Sequence, residues 1–343
     1  MNLEDINNCP STLAEGHSGY SAAALRNMFN GKKVSHVLEF DAPRVNEDVA
    51  EILRQNSKTI SISGVQFKQS LILEKNKLRL TREGEHGQYI LKPIPFRPPF
   101  GRAEELPANE QLTMQIARQA YGIAIAQCAL IFFINGEPAY ITKRFDYSRE
   151  GQKIAQEDFA SLTGMSKDKD GENYRSHGSY QDVATTIKRY VSASRVEMEK
   201  YYERILFNYL FSNGDAHLKN FSLQQSKSGD YLLSPAYDLM DTSIHIPTDS
   251  FFALSDGLFS EDYDTESFKV LGYYAYDDFY EFGLKIGVME NRAKKVLDKY
   301  RNENKIARKL ITQSFLSSEV KIIYETHYLD RLKMLNSSYS KKV

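Results

Sequence analysis

The chain has 343 residues, of which 41% are hydrophobic and 26% are charged, and its 44 lysines and arginines nearly balance its 45 aspartates and glutamates. A chain of this length is expected to form about two domains, and the composition is that of an ordinary globular protein. The net charge of −1 gives no support to a function in nucleic-acid binding, because such proteins usually carry a basic excess.

The cysteine content and the apolar runs indicate the cellular compartment of the protein. Cys9 and Cys128 are too few for a four-ligand zinc site or a disulfide framework, so reduced thiols in a cytosol are expected. The first residues are acidic where a signal peptide would be basic. The most apolar run, residues 121–134, is shorter than the ~20 residues that a membrane-spanning helix needs. We therefore expect a soluble, cytoplasmic protein without a membrane partner.

The first 146 residues are predicted to be rich in strands. Residues 1–58 are polar, with short helices expected near 21–29 and 45–53. From residue 59, β-prone runs separated by glycines predict an antiparallel meander that reaches residue 92. A loop with five prolines at 93–107 precedes a helix over 109–121. Strands are then expected over 123–135 and 139–145, joined at Asn135 and Gly136.

The rest of the chain is predicted to be mainly helical. Helical spacing of apolar residues appears over 156–162, 180–192 and 197–211, with a polar loop over 164–179 between the first two. Short strands are expected near 221–223 and 231–233, and charged amphipathic helices over 288–313 and 318–335. The sequence thus predicts an α+β protein with an N-terminal extension (1–58), a β-rich lobe (59–146) and a helical lobe (147–343).

One segment combines residues that suit a particular reaction. Asp215, His217, Lys219 and Asn220 lie within six residues, and Asp238 follows eighteen residues after Asn220. An aspartate followed five residues later by an asparagine, and then by a second aspartate, is the order in which kinase-type enzymes supply a base and two magnesium ligands. Lys219 is a weaker candidate, for neutralising the transferred phosphate. This pattern predicts phosphoryl transfer.

Two further elements lie upstream in the order that a kinase requires. Lys92 ends an apolar strand, and Glu110 begins the helix after the proline loop, so the two are expected to form an ion pair that positions ATP phosphates. A turn of small residues before Lys92 is expected to hold phosphate through its backbone amides. Its residues are Ser61, Ser63, Gly64, Val65, Gln66 and, just beyond them, Lys68.

Each piece also has a purely structural interpretation. A lone Asp-x-His is more often a capped loop than an active site, a lysine at a strand end is usually solvated, and Glu110 simply suits a helix N-terminus. The functional interpretation rests on the order of five elements along the chain. They are the turn of small residues, the lysine, the glutamate, the aspartate–asparagine pair and the second aspartate. Chance rarely produces that order on the right secondary structure.

Seven stretches together resemble the HipA-like serine/threonine kinases, which are toxins of bacterial toxin–antitoxin systems. The matching stretches span most of residues 59–240, and those around Asp215 and Asp238 are specific to the family. They are residues 61–68, 90–93, 106–110, 143–146, 156–159, 213–220 and 234–239.

The resemblance implies a two-lobed, protein-kinase-like (HipA-like) fold that uses ATP and Mg²⁺. It implies that Asp215 is the catalytic base, that Asn220 and Asp238 are the metal ligands, and that Lys92 contacts ATP. It also implies a hinge against adenine, formed by Lys143, Arg144 and Phe145.

The resemblance further implies self-phosphorylation on a serine of the phosphate-binding turn. That position is Ser61 here, and Ser63 adds a second hydroxyl. Phosphates in this turn would repel those of ATP, which would disable nucleotide binding.

The segment ahead of that turn departs from the HipA pattern. HipA carries a sizeable β-rich segment there, whereas this chain has about sixty residues, so it is similar to the short form, the HipT type. A separate small protein is then expected to supply the missing segment. The other implied partners are a helix-turn-helix antitoxin, DNA reached only through that antitoxin, and an aminoacyl-tRNA synthetase as the protein substrate.

Two other functions remain open from the sequence. A small-molecule phosphotransferase would keep Asp215, Asn220 and Asp238, but it would not explain the paired serines at 61 and 63. A catalytically silent binding module belongs to another class, and loss of Asp215, Lys92 or Asp238 would have favoured it. All three residues are present.

Overall fold

The structure is a computed structural model that describes residues 3, 6–42, 66–96, 98–148, 151–247, 250–261 and 263–340. It divides into two compact units. The first comprises Met1–Gln152, Ile244–Pro247 and Lys305–Tyr324. The second comprises Lys153–Ser243, Thr248–Asn304 and Glu325–Val343. The helix predicted near 45–53 and the β-prone residues 60–65 lie outside the described residues.

The first unit contains an antiparallel sheet. Its strands lie in the order β2-β1-β3-β5-β4, and pairing of β3 with β5 sets Lys92 opposite Tyr140. Leu71, Leu91 and Ile141 on one face of the sheet pack with Met28 and Phe29 of the first helix. The strands are β1 (Gln69–Glu74), β2 (Lys77–Leu80), β3 (Tyr89–Pro93), β4 (Cys128–Phe132) and β5 (Pro138–Lys143), and the helix is α1 (Ala22–Phe29).

The helix α2 (Leu106–Gln119) follows the proline-rich loop. It begins three residues earlier than predicted, because Pro107 occupies the first turn, where the missing N–H costs no hydrogen bond. Every residue from Leu106 to Ala117 is buried, including Glu110. A charged side chain therefore enters the core of this unit.

The hairpin between β4 and β5 forms where it was predicted, although both strands are shorter than expected. Gly136 adopts a φ of 83°, which a residue with a side chain rarely does, and its N–H donates to the Phe133 carbonyl at 2.9 Å. The glycine therefore fixes the turn that joins β4 to β5.

The second unit begins with a strand where a helix was predicted. Residues 156–158 pair with Ser222–Gln225 as β6 (Gln156–Asp158), and only then does the helix α3 (Phe159–Leu162) start. Asp158 caps that helix by accepting from the Ser161 N–H at 2.9 Å. The predicted loop over 164–179 contains a short helix, α4 (Lys167–Asp170), and a 3-10 turn at Tyr174–Ser176.

Two helices precede the remaining strands of this unit. The first, α5 (Tyr180–Tyr190), starts with a reciprocal capping box between Ser179 and Asp182. The second, α6 (Ser194–Leu210), is buried along most of its length. They are followed by β7 (Ser222–Gln225) and β8 (Tyr231–Leu233).

The C-terminal region contains a break that the sequence did not reveal. The helix predicted over 288–313 is divided into two, and the Asn304 N–H in the break donates to the Tyr328 hydroxyl at 2.9 Å. Among the described residues, no helix is both long and apolar enough to cross a bilayer. The helices of this region are α7 (Glu266–Leu271), α8 (Tyr276–Lys285), α9 (Glu290–Tyr300), α10 (Lys305–Gln313) and α11 (Ser318–Asn336).

Candidate functional site

A buried ion pair joins β3 to α2 in the first unit. The Lys92 Nζ lies 2.7 Å from the Glu110 Oε1, and the two side chains are only 4% and 1% exposed. The same ammonium lies 5.2 Å from the centre of the Tyr140 ring. The structure thus brings together the lysine and the glutamate that the sequence paired.

This pair is costly to bury, since removing two charges from water offsets much of their mutual attraction. Gln66 contacts the residue that follows Lys92: its Nε2 donates weakly to the Pro93 carbonyl at 3.5 Å. The buried Oε1 of Gln66 has no hydrogen-bond partner in the part of the chain that the structure describes. Of the other residues in the predicted phosphate-binding turn, Lys68 is exposed. The described residues do not include Ser61, Ser63, Gly64 and Val65.

The predicted hinge follows the end of β5. Lys143 donates to the Asn30 Oδ1 at 2.8 Å, and Arg144 makes a two-point contact with Asp146, which raises the pKa of the guanidinium. Phe145 is half-buried. Both cations are therefore held by protein side chains.

The segment around Asp215 lies in the second unit and is held through its backbone. The Gly214 N–H donates to the Thr242 hydroxyl at 2.8 Å, and the Tyr180 hydroxyl donates to the Ala216 carbonyl at 2.9 Å. Ser212, just before this segment, adopts a left-handed φ of 49°. These contacts fix the backbone on both sides of Asp215, whose side chain is 15% exposed.

Asn220 turns back onto the same segment. Its Nδ2 donates to the Asp215 carbonyl at 2.7 Å, and the His217 N–H donates to that carbonyl at 2.8 Å. The hydrogen bond from the amide nitrogen orients the side-chain amide of Asn220, and its Oδ1 remains as an acceptor. The sequence-predicted base and first metal ligand are thus brought together.

Asp238 follows β8 on a segment that α6 anchors. The buried Arg204 of α6 donates to the Ser234 carbonyl, and the buried Glu197 accepts from the Leu233 N–H at 3.0 Å. Burial lowers the pKa of Arg204 to about 10. Asp238 itself adopts a left-handed φ of 55°, which is uncommon for aspartate.

His217 is buried close to the Asp215 carboxylate. Its ring is 2% exposed, and neither ring nitrogen has a hydrogen-bond partner among the described residues, although Nε2 is 3.9 Å from an Asp215 oxygen. Burial and the charge of Arg175 lower its pKa to about 4, while Asp238 acts in the opposite direction. The imidazole is therefore neutral at pH 7.

This burial predicts a pH dependence of stability. Between pH 6.5 and about 4 the unfolded chain binds a proton at His217 that the folded chain does not, so the free energy of unfolding rises with pH across that window. We expect His217→Phe to remove part of this slope, roughly 2–3 kcal/mol between the two limits. Urea unfolding of both proteins at pH 4.5 and 7 measures it, and an unchanged slope in the variant would contradict the buried neutral ring.

The Lys219 side chain approaches another aspartate, Asp158. Its side chain is 45% exposed and its Nζ lies 3.9 Å from an Asp158 oxygen. Its backbone carbonyl accepts a hydrogen bond from the Tyr237 hydroxyl at 2.9 Å, so this tyrosine connects the Asp215 segment to Asp238. No sequence motif pointed to this role of Tyr237, nor to those of Arg204 and Thr242.

The oxygen atoms near Asp238 suit a hard cation. Within the described ranges, no group of three or more His, Cys, Asp and Glu side chains is placed to hold a metal ion by itself. The Oδ1 of Asn220 and the carboxylate of Asp238 are, however, the kind of ligands that Mg²⁺ takes when substrate phosphates complete its coordination. These residues therefore fit the metal that the sequence predicts.

The comparison with protein families decides the identification. Residues 60–307 match the family model of the HipA-like C-terminal domain, which is more than half of the chain. The chain belongs to the HipA-like family. The matched region holds both the Lys92–Glu110 pair and the Asp215–Asp238 segment.

Two relatives of this HipA-like protein have names that refer to a kinase. One is a protein of Haemophilus influenzae named "Putative kinase", 28% identical over 95% of each chain. The other is "Putative kinase Y4dM" of Sinorhizobium fredii, 32% identical over 63% of this chain and 53% of that protein.

A solved structure confirms the predicted fold. A chain in the complex of HipA, HipB and operator DNA from Shewanella oneidensis MR-1 superposes with a TM-score of 0.60, at 18% identity, over 87% of this chain and 74% of that chain. At that identity the likeness concerns the fold. The α+β, HipA-like fold expected from the sequence is therefore confirmed.

Proposed function

We propose that this HipA-like protein is an ATP- and Mg²⁺-dependent serine/threonine protein kinase that acts as the toxin of a bacterial toxin–antitoxin system. The buried Lys92–Glu110 pair carries the proposal. A buried ion pair contributes little to stability, so its presence in the core favours a functional role. In kinases, a strand lysine held by a helix glutamate binds ATP phosphates.

The second unit supplies the other roles. Asp215 accepts the proton of the attacking hydroxyl, and Asn220 and Asp238 hold Mg²⁺, which neutralises phosphate charge when it is bound. His217 keeps an uncharged ring against the Asp215 carboxylate. Lys219 stays a weaker candidate for contacting phosphate, because its half-exposed amine lies 3.9 Å from an Asp158 oxygen. The two relatives with "Putative kinase" in their names support a kinase activity in general.

The proposed partners follow from the family. The protein substrate would be an aminoacyl-tRNA synthetase, whose phosphorylation would inhibit translation. A helix-turn-helix antitoxin would restrain the kinase and carry any DNA contact, and a separate small protein would supply the segment ahead of the phosphate turn. Ser61 and Ser63 would be the sites of self-phosphorylation.

Nucleotide binding tests the proposed cofactors. We expect ATP to bind at least tenfold more tightly with Mg²⁺ than with EDTA, as measured by isothermal titration calorimetry. Asp238→Asn should abolish that difference and leave the affinity in EDTA unchanged, since it removes a metal ligand only. Asp230→Asn, at an exposed position of the same unit, is the matched control. Equal affinities with and without Mg²⁺ in the wild type would contradict the proposal.

A further inference from the structure

A cavity of about 350 Å³ in the second unit has no role in the site described above. We propose that it binds a lysine or arginine side chain of the polypeptide that is phosphorylated, a substrate class that rests on the proposed kinase function. Its lining combines aromatic rings with two aspartates. The cavity lies in the segment between β8 and α8, outside every motif found in the sequence.

The walls of the cavity are aromatic. Tyr274 is central, with ring centres of Phe268, Phe252 and Phe251 at 4.5, 4.9 and 6.0 Å from its own. Such rings attract a cation through the negative charge on their faces. An uncharged apolar ligand would also fit these walls, so the charges at the edge decide the occupant.

The charges that line the cavity are negative. Asp256 and Asp264 are exposed there, and no lysine or arginine is found among the described lining residues. The Ser255 hydroxyl donates to the Asp256 Oδ1 at 2.7 Å, which orients that carboxylate. Two carboxylates beside aromatic faces complement a side chain with an apolar stem and a cationic head.

Rings of the same cluster already contact cations of this chain. The Lys285 Nζ lies 3.5 Å from the centre of the Tyr263 ring, and the Arg331 guanidinium lies 4.4 Å from that of Phe251. Glu281 lies 3.6 Å from the Lys285 Nζ. The cluster therefore tolerates cations on its ring faces, and the two aspartates leave the lining with an excess of negative charge.

One tyrosine links the cavity wall to the segment of the predicted base. The Tyr180 ring packs edge-on against Phe252 with centres 5.0 Å apart, and its hydroxyl donates to the carbonyl of Ala216, next to Asp215. The Tyr180 N–H also donates to the carbonyl of Gly257, a lining residue, at 3.0 Å. The cavity wall and the Asp215 segment thus share one supporting side chain, which is the reason for choosing the phosphorylated polypeptide as the occupant.

The test uses a peptide with the sequence of residues 54–66, which carries Arg54 and Lys58 ahead of the serines at 61 and 63. Its binding to the full chain is measured by fluorescence anisotropy without ATP, alongside a version with norleucine at both cationic positions. The cavity variant is Asp256→Asn with Asp264→Asn. The control variant is Asp230→Asn with Asp298→Asn, which removes the same charge from exposed positions elsewhere in this unit.

We expect the cavity variant to bind the unmodified peptide, and the wild type to bind the norleucine peptide, each about tenfold more weakly than the wild type binds the unmodified peptide. The cavity variant should bind the norleucine peptide no more weakly than either of these two pairs. The control variant should bind like the wild type. Equal binding of both peptides to the wild type, or additive losses, would overturn the proposal.

Phosphorylation of the same peptides separates this proposal from the kinase assignment. Cation-dependent binding at the cavity with no phosphate transfer to either peptide would support the cavity and reject the kinase. Phosphorylation of both peptides with equal KM would support the kinase and overturn the cavity. A KM about tenfold higher for the norleucine peptide, and for the cavity variant, would support both.

Discussion

Replacing Asp215 with asparagine is expected to lower the rate of phosphoryl transfer about a thousandfold, the scale on which a positioned general base contributes. Asparagine keeps the size of the side chain and cannot accept the proton. The surrounding backbone is held by Thr242 and Tyr180, which the change does not touch. Steady-state phosphorylation of a serine peptide with labelled ATP measures the rate.

Two controls make this result specific to the base. The Asp215→Asn protein should bind Mg²⁺–ATP within about twofold of the wild type, and its thermal unfolding temperature should hardly change because Asp215 is not a core residue. Asp230→Asn should keep the full rate. An Asp215→Asn protein that folds normally and transfers phosphate at the wild-type rate would show that another group is the base.

Replacing Glu110 with alanine is expected to destabilise the first unit by about 3–5 kcal/mol, because Lys92 would keep a buried charge without its carboxylate partner. Nucleotide binding should be lost as well, since Glu110 would no longer hold the Lys92 ammonium in position to contact the ATP phosphates. The midpoint of urea unfolding and calorimetry with ATP measure the two effects.

A double variant separates stability from function. Lys92→Met with Glu110→Leu removes both charges and keeps apolar volume, so its stability should return to that of the wild type or exceed it. It should still fail to bind ATP. Restored stability together with full ATP affinity would mean that the pair is structural only.

The sequence predicted the parts of the site that depend on local spacing. Lys92 ends a strand, Glu110 lies early in the next helix only 18 residues later, and the two side chains meet. Asp215 and Asn220 are five residues apart, so a single turn suffices to bring the amide onto the Asp215 carbonyl. Such relations need no knowledge of distant contacts.

Features that depend on distant residues were missed. Residues 156–158 form a strand because they pair with β7, more than sixty residues later, and helical spacing does not reveal that partner. Arg204 holds the Ser234 carbonyl from another helix. The aromatic cavity unites residues 250–274 with a wall that Tyr180 supports. None of these residues forms a short motif.

The most direct test of the proposed kinase is intact-mass spectrometry of the purified chain before and after incubation with Mg²⁺ and ATP, beside the Asp215→Asn protein. We expect the wild type, once freed of phosphate, to gain one or two phosphates at Ser61 or Ser63, and the variant to gain none. No gain by a wild-type chain that binds Mg²⁺–ATP, or an equal gain by the variant, would contradict the assignment of a self-phosphorylating kinase with Asp215 as its base.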